Sequence, residues 1–71
     1  MAAKLTIDGD RLLALRRRNG FTQQAAAEKS RLTTARLRVL EHGGGNVRLD
    51  TLARLADIYG IHPCELLAWS P

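Results

Sequence analysis

A chain of 71 residues, 45% hydrophobic and 25% charged, has room for one domain with a single core. It buries only about 60% of the surface it exposes when unfolded. The composition excludes an intrinsically disordered chain, the lone Cys64 excludes an internal disulfide, and the two histidines, His42 and His62, give no zinc-ligand spacing with it. No apolar run approaches the roughly 20 residues that cross a bilayer, and MAAKLTIDGD lacks the apolar stretch of a signal peptide. The expected location is therefore a reducing cytoplasm, with no membrane association, no metal and no cofactor.

The net charge of +4 is unevenly distributed. Between positions 16 and 38 lie Arg16, Arg17, Arg18, Lys29, Arg31, Arg36 and Arg38, opposed by Glu28 alone, whereas the rest of the chain is net acidic. Two readings fit such a middle third: a surface that attracts a polyanion such as nucleic acid, or a solvated basic face.

Taken in chain order, the elements are five short helices and no strands. DGDRLLALRRRN opens with acidic residues, spaces Leu12 and Leu15 by three, fills its last turn with arginines and stops at Gly20. TQQAAAEKS starts at Thr22 as N-cap, and its three alanines let another helix approach closely. After a break near residues 30–32, Thr33 caps a third helix that ends at the run Gly43 to Gly45, a stop and bend without the lysine of a phosphate loop. RLDTLARLADIYG places Leu49, Leu52, Leu55, Ala56 and Tyr59 on one stripe and ends at Gly60. HPCELLAW then offers Pro63 at a first helical position, with Glu65 placed to reach back to the cap, as the start of a fifth helix that holds Cys64 as a small, partly buried residue.

At about 100° per residue, the third helix turns Leu37, Leu40 and Glu41 toward the protein. Ala35, Arg38, Val39 and His42 lie on the opposite face, Thr34 at the exposed tip and Arg36 on a flank. A short helix presenting small side chains and an arginine suits a DNA major groove about 12 Å wide.

From Gly20 to Gly43, GFTQQAAAEKSRLTTARLRVLEHG resembles the phage-repressor and Cro-type helix-turn-helix regulators, also called the xenobiotic-response-element family. Gln23 opens the first motif helix, Ala27 sits at the tight crossing, Leu32 follows the turn, and Leu37 and Leu40 are inward anchors. LDTLARLADIYGIHPCELL is similar to the family's fourth and fifth helices. The resemblance implies an all-α, five-helix lambda-repressor-like DNA-binding domain over residues 1–71, with its core at about 8–68 and the helix-turn-helix at about 22–42.

It also implies roles. Thr34, Ala35, Arg38 and Val39 would read base edges, and Thr22, Gln23, Thr33, Arg36, His42 and Asn46 would meet phosphates. His42 has a second reading, as a cation decorating a helix C-terminus. Arg16 and Glu41 would form an ion pair between helices 1 and 3. Arg31 stands where the family generally has a glycine, and the reading helix lacks adenine-reading glutamines, which leaves methyl contacts to thymine and Arg38 for guanine. Tyr59, Leu67 and Trp69 are either core or a homodimer interface, the latter suited to half-sites roughly 34 Å apart.

The expected function is sequence-specific binding of a double-stranded DNA operator as a transcriptional regulator, a repressor in the first instance, and not an enzyme. With the chain ending just past the fifth helix, no sensor domain is expected. The alternative is a protein-interaction module, such as an antitoxin that binds a partner toxin or another regulator, with DNA binding secondary.

Overall fold

The computed structural model describes residues 4–43 and 46–70. In order they form β1 (Lys4–Ile7), α1 (Gly9–Arg18), α2 (Gln23–Ser30), α3 (Thr34–Glu41), α4 (Leu49–Tyr59), a 3-10 turn (Pro63–Leu66) and β2 (Leu67–Ser70). The helical helix-turn-helix architecture stands, but the count of five helices and the absence of strands do not. Among the described residues there are four α-helices, and the fifth segment is a single 3-10 turn that runs into a strand.

The N-terminal side of the first three helices follows from local chemistry. Asp8 Oδ1 accepts from Arg11 N at 3.1 Å, Thr22 Oγ1 from Ala25 N at 3.1 Å and Thr33 Oγ1 from Arg36 N at 3.0 Å. Each satisfies an amide that the first turn leaves without a partner. At the other end of α4, Gly60 takes φ +65 and its N–H returns to Ala56 O and Asp57 O, a left-handed cap that suits a residue without Cβ.

The 3-10 turn is pinned at its start. Glu65 Oε2 accepts from His62 N at 2.9 Å, and His62 Nδ1 accepts from Cys64 N at 3.2 Å. The expected reach of Glu65 back to the cap is thus present. Helix then gives way because Leu67 adopts extended backbone and joins β1. The strands are antiparallel, with Leu5 opposite Trp69, Thr6 opposite Ala68 and Ile7 opposite Leu67, and Asp8 N extends the clasp by donating to Leu66 O at 2.7 Å. The pairing satisfies backbone donors and acceptors that two isolated extended segments would leave to solvent. Cys64, expected to be partly buried on a fifth helix, is exposed on this turn.

The core gathers one to three side chains from every element except β2, centred on Leu12, Leu37, Leu40, Leu55 and Leu66, all fully buried, with Ile7 closing the strand side. Ala26 and Ala27 supply the small surface of α2 where it packs against α3. Phe21, Leu32, Val47, Tyr59, Ile61 and Leu67 pack around this centre. Leu49 departs from the expected stripe: Leu52, Leu55 and Ala56 are buried, but Leu49, at the first residue of α4, is 83% exposed. The glycine stop after α3 is described only at Gly43, since Gly44 and Gly45 lie outside the described residues.

One close approach fixes α1 against α3. A Cβ built on Gly9 falls 2.5 Å from Gly43 N, 2.6 Å from Glu41 O and 2.7 Å from Leu40 O. Real Cβ atoms do not come so near backbone, so only glycine lets the start of α1 lie on the end of α3.

Candidate nucleic-acid interface

The eight residues of α3 span about 12 Å along the axis. Leu37, Leu40 and Glu41 are buried on one side, while Ala35, Arg36, Arg38, Val39 and His42 are exposed on the other and Thr34 is half-buried at the N-terminal tip. A buried stripe and an exposed one at i, i+3, i+4 spacing are what a helix clamped along a single side produces. The exposed stripe consists of short side chains plus two arginines, and Val39 is 46% exposed on it.

The clamp is polar as well as apolar. The Glu41 carboxylate is 1% exposed and accepts from Arg16 Nε at 2.5 Å through Oε2 and from Gln23 Nε2 at 3.1 Å through Oε1. Arg16 Nη1 also donates to Phe21 O at 3.0 Å. One buried carboxylate therefore ties α1, the start of α2 and the end of α3 together, with its charge countered and hydrogen-bonded as burial requires.

This network shows where the Gln23 side chain goes. Its amide nitrogen is committed to Glu41, so the group Gln23 offers outward is its backbone N–H in the first turn of α2, beside the exposed Thr22. Amides of a first helical turn have no intrahelical acceptor and favour an anion. Arg36 is also engaged, its Nη2 donating to the backbone carbonyl of Asn46, which brings the segment before α4 against the flank of α3. Arg38 and His42 make no side-chain hydrogen bond or ion pair with the described residues.

The turn between α2 and α3 is closed by Arg31 at φ 57, ψ 37, the only non-glycine residue with positive φ among the described residues. Its N–H returns to Glu28 O at 3.2 Å, and Leu32 N to Ala27 O at 2.9 Å, so the family's turn shape is kept with an arginine at the left-handed position. Its side chain is exposed just before the N-terminus of α3, a cation the candidate contacts above omit; the signal for it was the run of positive charge from 16 to 38.

Tyr59, Leu67 and Trp69 are not equivalent. Tyr59 packs on the core with its ring centroid 6.1 Å from that of Phe21 and its hydroxyl sealed from solvent. Burial raises the Tyr59 pKa above its ordinary 10.0, the nearby Glu41 raises it further, and Arg16 opposes both. Leu67 is half-buried, and Trp69 is 64% exposed. Among the described residues no group of three or more His, Cys, Asp or Glu side chains is placed to hold a metal ion, and no helix is long and apolar enough to cross a membrane.

Residues 9–69 match the family described as helix-turn-helix domain. Among solved structures, the chain is similar to the restriction-modification controller protein C.AhdI from Aeromonas hydrophila, with 36% identity and TM-score 0.74 over 82% of this chain and 88% of that one. It is also similar to the clp gene regulator ClgR from Corynebacterium glutamicum, with 29% identity and TM-score 0.74 over 82% of this chain and 62% of that one. No curated protein matches it. The match over nearly all of its length, with α2 and α3 arranged as described, shows that the chain belongs to the helix-turn-helix domain family and is a DNA-binding regulator of the Cro type.

Proposed function

We propose that this chain, as a single helix-turn-helix domain over residues 1–71, occupies a double-stranded DNA operator and represses transcription in the cytoplasm, without catalytic chemistry of its own. The observation that carries the reading is the outer face of α3, exposed, small and cationic, on a helix clamped along its opposite side. In the major groove, Ala35 and Val39 meet thymine methyls, Thr34 lies at the entering tip and Arg38, without a partner among the described residues, reaches guanine. Thr22, Thr33, His42 and the amides that open α2 at Gln23 hold phosphates. Arg36 and Asn46 act together there, because the guanidinium that faces the backbone also positions the segment after α3.

A module of this size gains affinity by pairing, and a homodimer reading two half-sites is part of the proposal, with Leu67 and Trp69 near the contact. The two relatives are a restriction-modification controller and a gene regulator, which supports regulation as the setting and leaves the operator to experiment. Selection of random-sequence duplexes by the purified protein over a salt series tests the reading. A two-fold symmetric site with affinity falling steeply as salt rises is expected. Flat salt dependence with no enriched site would overturn it and direct attention to a protein partner such as a toxin.

A further inference from the structure

The turn between α2 and α3 is also held from α4. Arg54, half-buried on α4, donates from Nη1 to the backbone carbonyl of Ser30 at 3.0 Å. Ser30 is the last residue of α2 and fully buried, and its carbonyl is one of those that a helix end leaves without an intrahelical donor. Asp50 and Asp57 lie four residues before and three residues after Arg54, within reach along the helix, yet Arg54 forms no ion pair among the described residues. Its charge is directed instead at the negative end of α2.

The carbonyl that Arg54 meets belongs to the peptide unit entering the left-handed residue. Rotating that unit changes ψ of Ser30 and φ of Arg31 together, and both of its polar ends are held: Arg31 N returns to Glu28 O at 3.2 Å, and Ser30 O meets Arg54. The unit after Arg31 is held as well, by Leu32 N donating to Ala27 O at 2.9 Å. Ser30 spends its hydroxyl inside α2, on Ala26 O at 2.6 Å, so the hold on this peptide unit from another element is the guanidinium of Arg54. Left-handed backbone is unfavourable for a residue with a Cβ and persists where the surrounding structure over-determines it. A glycine there would need no such hold, because it takes positive φ freely.

We infer that Arg54 is a positioning residue for DNA binding: from α4 it holds the Ser30–Arg31 peptide unit, and through it the left-handed Arg31 and the angle at which α3 leaves α2. The Glu41 network ties the start of α2 to the end of α3, and Arg54 acts at the turn, so the two helices are fixed at both ends of their pairing. The angle between them determines whether the amides that open α2 and the outer face of α3 meet one duplex together, since a binding constellation works only when its supporting contacts fix its geometry. Only this step to DNA rests on the regulator reading. The hold of Arg54 on Arg31 is a property of the free chain.

The test is a double-mutant cycle of Arg54→Met, which keeps an apolar stem and removes the donor, with Arg31→Gly, using circular dichroism to establish that each variant is folded. In the chain without DNA, the Leu32 amide should exchange about 10-fold faster in Arg54→Met than in the parent, relative to amides of α1, and less than about 2-fold faster in the Arg31→Gly background. Binding is read with the duplex that the parent retains best from a random-sequence pool. Arg54→Met should weaken it by a factor about 5-fold larger in the parent than in the Arg31→Gly background. Loss of one positive charge, or of general stability, would lower affinity by the same factor in both backgrounds. Equal factors, or a Leu32 amide as protected in Arg54→Met as in the parent, would overturn the inference and leave Arg54 a general brace between α2 and α4. A parent that retains no duplex would overturn the step to DNA together with the regulator reading, while the exchange comparison still decides whether Arg54 holds the turn.

Discussion

Arg16 Nε lies 2.5 Å from Glu41 Oε2, with the arginine side chain 11% exposed and the glutamate 1%. The pair joins the first helix to the last turn of α3, so the orientation of the proposed reading helix depends on a contact buried inside the fold. Arg16→Met should cost about 3 to 5 kcal/mol, because it leaves a buried carboxylate without its counter-ion. The double variant Arg16→Met, Glu41→Leu should recover most of that loss. Urea unfolding of the two variants checks this, and equal destabilisation in both would show that the charge is not what holds the helices.

Gly9→Ala should destabilise by about 1 to 3 kcal/mol, although alanine is the better helix former in general. The added methyl meets three backbone atoms of the Leu40 to Gly43 segment, and backbone has little room to move aside. Thermal unfolding measures the effect; a variant that melts at or above the parent temperature would show that α1 and α3 are less closely apposed.

Arg31→Gly should raise stability by about 1 kcal/mol by relieving the left-handed backbone of a residue with a Cβ. For a domain of this size that corresponds to a rise in Tm of about 4 to 8 °C. Phosphate contact by this exposed arginine would appear separately, as a shallower salt dependence of duplex binding. A lower Tm would place the turn's strain elsewhere.

Tyr59 makes the fold sensitive to alkali. Below the unfolded value near 10 the phenol is neutral in both states; above it the unfolded chain ionises first, because burial and Glu41 hold the folded pKa higher. Stability should therefore fall as pH rises through about 10 and stop falling only above the folded value. Tyr59→Phe should abolish this loss and, by removing a sealed hydroxyl without a partner, stabilise the domain by about 1 kcal/mol at neutral pH. The chain has one tyrosine, so tyrosinate absorbance follows this group alone.

On the DNA side, Arg38→Ala should reduce discrimination between sequences by about 1 to 3 kcal/mol at one base position. Arg36→Ala should weaken all duplexes alike, flatten the salt slope by about one unit and, in addition, free the segment at Asn46. Hydrogen exchange at residues 46–48 separates the two effects of Arg36. Parent-like binding by both variants would remove α3 as the reader.

What could be read in the residues was whatever local chemistry decides. Thr22 and Thr33 cap helices because a hydroxyl before a helical run has one good use, and Leu37 and Leu40 face inward because 3.6-residue periodicity leaves them no other side. The strands were hidden because the alternation of Leu5 and Ile7 with Lys4 and Thr6 covers only four residues, too few to mark a strand, and the partner segment lies at the other end of the chain. Leu49 was misplaced because periodicity fixes an azimuth but not whether the protein extends far enough to cover the first turn. At the candidate site, the exposed face of α3 was legible, whereas the commitment of Gln23 to Glu41 and of Arg36 to the Asn46 carbonyl was not: both join side chains to groups on other elements, and spacing along one helix carries no information about them.

The clasp between β1 and β2 adds an order of events. Pairing Leu5 with Trp69 requires segments far apart in the chain to meet, and such contacts bear the loop-closure entropy of everything between them. The face that carries Leu5 and Trp69 thus depends on the helices between them holding both ends of the chain together. Loss of either strand therefore removes the pairing of both, at the opposite end of the sequence.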